Sequence, residues 1–357
     1  MKNLLPITCL IAAMSQMPAS AHEAQTHQHA EIVPIPAYTL PYGEAGGNAA
    51  LQAAQSLLAT FGAAEQSEFV FDWASNQREK WSNLPGGMVT RPGLSIGEMS
   101  DAQRGLLFDL LSSSLGADGY ERLGDLLAAE AFLSQAPRAS RYGWFPENYW
   151  ISFYGTPSDN GPWGWQFGGH HLGLNISIRD GQVTTMSPTF WGTEPAIFTL
   201  NGIDYESVVD MHRSGYAVFQ SLTEQQQSAA MTRRVPGDIE TGPGHDGRVP
   251  DLIGIAAREF TPEQRRLLLE TIRLWVSIQP DENASPRMAE IEADLDAVHF
   301  AWNGTAEVNT PTYMRIQGPS LIIELHSTGG NFGANALGLG HYHTIYRNPT
   351  KEYGRHR

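Results

Sequence analysis

The chain predicts an α+β fold, a mostly antiparallel sheet with several helices packed around it. Three observations carry that expectation. Strand patterns gather in two groups, 150–191 and 313–346, with helical patterns before and between them. Such segregation builds α+β rather than alternating βαβ units. Within the first group Arg179-Asp180-Gly181 is a hairpin signal, because glycine accepts the positive φ of a tight turn. Three helix starts carry a capping box: Ser100 with Gln103, Thr223 with Gln226, and Thr261 with Gln264.

The elements follow in order. Residues 22–47 read as an irregular lead-in rich in proline and closing on glycine, and 48–357 as one domain. Helical periodicity places helices over 48–61, 100–115, 118–134, 205–222, 223–231, 261–278 and 286–300. Strands are expected over 150–154, 163–178 and 183–191, then 313–317, 320–327 and 341–346. The stretch 234–251 is rich in Gly, Pro and Asp and reads as a long surface loop, a length associated with function or disorder. The shared capping chemistry does not extend to an internal repeat.

The first residues read as a secretory leader. Lys2 is followed by an apolar run over 4–14 and by Ala19-Ser20-Ala21, an A-x-A cleavage site, so 1–21 is the expected signal peptide. The single cysteine, Cys9, lies inside it, so the processed chain has no disulfide. No later run is apolar for the roughly 18 residues that a membrane helix needs. Formal net charge is −15, and removal of Lys2 makes it one unit more negative. Such a surface repels nucleic acid and anionic lipid. The expectation is an exported protein, periplasmic or extracellular, whose partner is a small molecule rather than nucleic acid or membrane.

Five of the twelve histidines fall in three short clusters: His170-His171, His326 two residues after Glu324, and His341 two residues before His343. On a strand, residues two apart share a face. If the last two strands pair with His326 opposite His341 and Glu324 opposite His343, four ligand-type groups form a rectangle about 5 Å by about 7 Å. A slip of two residues breaks the rectangle and keeps the face. In the first cluster, strand alternation sets His170 with Leu172 and Leu174, and His171 with Gly173 and Asn175. His171 is therefore favoured as a ligand and His170 as a hydrogen-bonded supporting residue or a core residue, with the reverse assignment open. Neutral imidazole and carboxylate suit zinc, iron or copper, and the sequence does not separate these.

Glu324 is the candidate fifth ligand or the base that activates metal-bound water. Arg347, with Asn348, is a candidate fork for a substrate carboxylate or else a loop ion pair. His245, beside Asp246, is a candidate base on the long loop or else a solvated residue. Trp163 and Trp165 read as core, or as the wall of a pocket. His22, His27 and His29 read as a flexible tail. Neither H-E-x-x-H nor G-x-S-x-G occurs.

The segments Trp163-Gly-Trp165-Gln-Phe-Gly-Gly-His170-His171-Leu, Ser187-Pro-Thr-Phe-Trp-Gly, and His341-Tyr-His343 with Tyr346-Arg347-Asn348-Pro349 and Tyr353-Gly354 resemble a family of mainly secreted microbial proteins. It is catalogued as domain of unknown function 3500. The resemblance spans most of the chain after the leader. It implies no activity, so the chemistry rests on the residues themselves. Their first reading is a metalloenzyme acting on a small molecule, as a hydrolase or an oxidoreductase. The alternatives are a non-catalytic metal- or solute-binding protein, and a metal-free site with a histidine as acid–base.

Overall fold

The computed structural model describes residues 35–38, 40, 44–330 and 338–355. The expected leader and the histidines at 22, 27, 29 and 356 lie outside the described residues. Among the described residues no helix is long and apolar enough to cross a membrane.

The fold is α+β. Strands β1 (Val70–Phe71), β2 (Leu94–Ser95), β3 (Tyr149–Tyr154), β4 (Pro162–Gly169), β5 (Leu172–Arg179), β6 (Gln182–Thr185) and β7 (Thr189–Thr193) make one half of a twelve-stranded sheet. A separate hairpin follows, β8 (Ile197–Leu200) with β9 (Ile203–Glu206). The other half holds β10 (Ile255–Ala256), β11 (His299–Asn303), β12 (Pro311–Gly318), β13 (Leu321–Thr328) and β14 (Tyr342–Arg347). The order is β1-β3-β4-β5-β7-β14-β13-β12-β11-β10, with β2 on β3 and β6 on β5. Only β1 with β3 is parallel among these pairs. The two halves meet where β14 pairs β7, which brings the first histidine cluster beside the last.

Alternation along these strands gives the sheet two different faces. One face is apolar and carries helices. Trp163, Trp165, Phe167, Leu174 and Ile176 pack with residues of α1 (Gly47–Leu58), α3 (Asp101–Ser114) and α4 (Ala117–Leu133). Leu325, Ile323, Tyr342 and Tyr346 pack with α6 (Val209–Ser221), α8 (Pro262–Val276) and α9 (Asp281–Ala293). The short α2 (Ala63–Phe69), α5 (Ala139–Tyr142) and α7 (Glu224–Ala230) complete the helices among the described residues. Trp163 and Trp165 are thus core, and the pocket-wall alternative falls. The opposite face carries Gln166, Asn175, Ser177, Glu324, His326, His343, Arg315 and Arg347, all on strands. Irregular segments from the 72–92 and 232–254 regions cover it through hydrogen bonds to Asn175's neighbour Gln166, to Ser177, and to Glu324, Arg315 and Arg347.

The three capping boxes form as expected, with the Gln103, Gln226 and Gln264 side chains on the N-cap amides. Asp180 (φ 52°) and Gly181 (φ 72°) make the two-residue turn between β5 and β6. Other boundaries differ. The expected strand 163–178 breaks into β4 and β5 at His170-His171, and 183–191 breaks before β7. The helix expected over 286–300 is α9, which starts five residues earlier and tolerates Pro286 in its first turns, while His299 and Phe300 open a strand. Tyr205 belongs to β9 rather than to the start of α6. In each case pairing or packing overrides a local apolar period.

Candidate metal centre

The β4–β5 hairpin sets up the first part of the site. Gly169 pairs with Leu172, so His170 and His171 are the two turn residues rather than members of a regular strand. His171 takes φ 61°, a left-handed conformation unusual for a side chain of this size. Its amide donates to Asn83 O (3.0 Å), and its carbonyl accepts from Gly192 N (2.7 Å). The turn sends its two imidazoles to different partners. His170 Nδ1 lies 2.8 Å from Oε2 of Glu130, a buried acid on α4. The His171 ring stacks on His170 with centroids 3.8 Å apart and reaches across β7 to the last cluster. Gly192 makes that possible: a Cβ there would lie 2.9 Å from His171 Cδ2.

The last strand brings the rest. His341 precedes β14 and His343 lies on it, directly opposite Gly192 of β7 and His326 of β13. His341 Nε2 is 3.2 Å from His171 Nε2 and 3.2 Å from His343 Nε2. One ligand atom from each of the three lies within 4.8 Å of the others. Three nitrogens bound at about 2.0–2.1 Å to one tetrahedral ion are separated by about 3.3 Å. The two closest separations match that edge.

Asp238 fixes the orientation of His343. His343 Nδ1 lies 2.8 Å from Asp238 Oδ1, which also accepts from the Ile239 amide at 2.7 Å. Burial works to raise the Asp238 pKa, but the hydrogen bond and charge of His343 outweigh it and hold the carboxyl below its usual range. An ionised carboxylate only accepts, so Nδ1 of His343 carries the proton and Nε2 offers its lone pair to the centre. A carboxylate on the far nitrogen of a ligating histidine is a recurrent feature of metal sites. The centre also resists protonation. Burial, then the neighbouring histidines, push His171 well below its ordinary pKa. Burial, then His343 and His170, push His341 down to about 3. Neutral imidazole is the form that binds metal.

Sequence reasoning named more residues than this geometry gathers. The β13–β14 register is the two-residue slip: His326 faces His343, and Glu324 faces Ile345. The rectangle therefore does not form. His326 points its Nε2 at Pro236 O (3.0 Å), while its buried Nδ1 has no hydrogen bond. Glu324 is fully buried, and its oxygens accept from the Glu240 amide (2.8 Å), the Thr241 amide (2.8 Å), the Thr241 hydroxyl and Tyr313 Oη (2.7 Å). It has no lone pair to spare for a metal or a water. Arg347 is equally committed. Its guanidinium donates to Thr241 O (2.7 Å), Gly242 O (3.2 Å), Glu352 (2.5 Å) and Asp246 (3.4 Å). Of the two readings of Arg347, this is the loop ion pair. His245 is exposed and stands outside the three-histidine group.

These anchors nevertheless shape the centre, because they seat the loop that carries Asp238. Asp238, Glu130 and Gly192 are the residues that sequence reasoning missed. Glu130 had a visible signal, a lone acid within Leu126-Leu127-Ala128-Ala129-Glu130-Ala131-Phe132-Leu133. Asp238 had only its place in the conspicuous loop.

Residues 44–355 match a family described as proteins of unknown function, DUF3500. The chain belongs to that family. No curated protein and no solved structure matches it. The DUF3500 match takes in every residue of the centre, from Glu130 and His171 to Asp238 and His343, and leaves their chemistry to be read from the geometry.

Proposed function

We propose that this protein holds one divalent transition-metal ion through the imidazole nitrogens of His171, His341 and His343, and that it is an exported metalloenzyme acting on a small molecule. The convergence of three imidazole nitrogens at metal-ligand spacing carries the reading. Three protein ligands leave one position of a four-coordinate ion to water or substrate, the arrangement of catalytic rather than structural zinc. Zinc fits an all-nitrogen donor set without thiolate, and iron and copper also accept imidazole. When bound, the ion supplies Lewis acidity and an activated water. His343 is oriented by Asp238, and His171 by the hairpin turn and the stack on His170. Glu324 and Arg347 serve as anchors of the covering loop in this reading.

The test is metal analysis of exported protein purified without an affinity tag, alongside His171→Ala and His343→Ala. One ion per chain, lost in both variants while they stay folded, supports the reading. A fourth protein ligand in the loaded protein would make it a carrier or structural site. No ion under any loading condition would leave a hydrogen-bonded histidine cluster that works, if at all, as an acid–base. Intact mass of the exported chain tests the compartment: cleavage after Ala21 is expected, and retention of residues 1–21 overturns it.

A further inference from the structure

Resting on the three-histidine metal reading, we infer that the open position of the centre takes an anion, so the small-molecule partner binds through a carboxylate or a group of like charge. The three ligands are neutral imidazoles, so none of the ion's two positive charges is cancelled by a bound carboxylate. The acids that surround the cluster are already engaged elsewhere. Asp238 accepts from His343 Nδ1 and the Ile239 amide, on the far side of the ring from the converging Nε2 atoms. Glu130 is bound to His170. Glu324 accepts from Glu240, Thr241 and Tyr313, and Asp246 and Glu352 receive Arg347.

His341 and His343 are partly buried and His171 is buried, so the centre lies at the edge of the protein interior. An anion arriving there meets a dication with no carboxylate bound directly to it, Asp238 standing one imidazole further out, in surroundings that solvate charge poorly. The chain's net charge of −15 opposes an anion at a distance. Salt screens that repulsion beyond about 8 Å at physiological ionic strength, so the ion's own charge decides at contact. A centre with one carboxylate ligand would have half the charge and a weaker preference.

The test uses the full chain loaded with Co²⁺, whose visible absorption reports the coordination sphere. Acetate and acetamide are matched in shape and differ in charge. Saturable spectral change with azide and acetate is expected, with acetamide at least tenfold weaker. Equal response to acetate and acetamide, or no response to either anion on a stoichiometrically loaded centre, overturns the inference and leaves the metal reading standing. Failure to take up Co²⁺ overturns both. His343→Asp places a carboxylate among the ligands, and anion affinity should fall tenfold or more in protein that retains Co²⁺. Unchanged affinity in that variant counts against the inference. Where the variant does not hold Co²⁺, the acetate–acetamide pair in the unaltered protein decides alone.

Discussion

Two groups of polar side chains lie on the same face of the sheet under the same loop, and they use their hydrogen-bonding capacity in opposite ways. In the knot around Glu324 and Arg347, the carboxylate takes four donors and the guanidinium spends its donors on two carbonyls and two acids. Around His171, His341 and His343, ring nitrogens are turned toward one another and only His343 has its outer nitrogen on a carboxylate. A buried polar group whose capacity is spent stabilises a fold; one that points at its like costs stability unless something else occupies the centre. The chain's letters do not distinguish the two groups. Hydrogen-bond satisfaction does.

The largest expected effect tests the knot. Arg347→Ala should cost about 3–5 kcal/mol, since it strips a buried cation from Glu352 and Asp246. Denaturant unfolding measures it, and because Arg347 reaches the centre only through the loop that carries Asp238, the molecules that remain folded should lose less metal than His343→Ala does. A loss below about 1 kcal/mol would place Arg347 outside the anchoring role. Glu324→Gln should cost about 1–3 kcal/mol, because an amide group would then face backbone and hydroxyl donors. If that variant instead keeps its stability and loses metal, the comparison between the two groups is inverted.

The contrast also has a pH signature. In chelator-treated protein, His341 has a folded pKa of about 3 against about 6.5 unfolded. A depressed histidine binds fewer protons in the folded state, so its contribution is complete above about 6.5 and falls as pH drops toward the folded value. The slope is about 1.4 kcal/mol per pH unit for one such group, and His171, lowered by the same causes, adds to it with the same sign. Melting at pH 7 and pH 5 checks this. His341→Gln should flatten the dependence, and metal, by holding the folded imidazoles neutral, should leave the onset near the unfolded value and extend the loss to lower pH.

The fold was more legible than the site, and the reasons are physical. Helix starts declare themselves within four residues, as Ser100, Thr223 and Thr261 do, and Asp180-Gly181 announces its turn. Strand register carries no such local mark. The slip that sets Glu324 against Ile345 leaves every side chain on its expected face, so alternation cannot detect it. Contacts with residues some eighty to one hundred positions away hold the observed partners of Glu324 and Arg347. Asp238 was hidden for the same reason, being 105 positions from His343. The hairpin at His170-His171 lacks the Asn or Gly that marks a tight turn, although Gly168 and Gly169 precede it. Alternation was therefore extended through a turn, and the preference for His171 over His170 came from a strand that is not there.

That turn supplies the smallest effect, and it isolates backbone from side chain. His171 holds φ 61°, where a Cβ costs about 1–2 kcal/mol. Both His171→Ala and His171→Gly remove the imidazole, its stack on His170 and its contact with His341. They differ in the Cβ alone. Glycine enters the left-handed region freely, though it gives back part of the gain through the greater entropy of its unfolded chain. His171→Gly should therefore be more stable than His171→Ala by about 0.5–1 kcal/mol, the reverse of their order at an ordinary strand position. Paired denaturant titrations resolve such a gap. If alanine proves the more stable, the residue does not occupy a left-handed turn, and the route by which His171 reaches His341 and His343 must be redrawn.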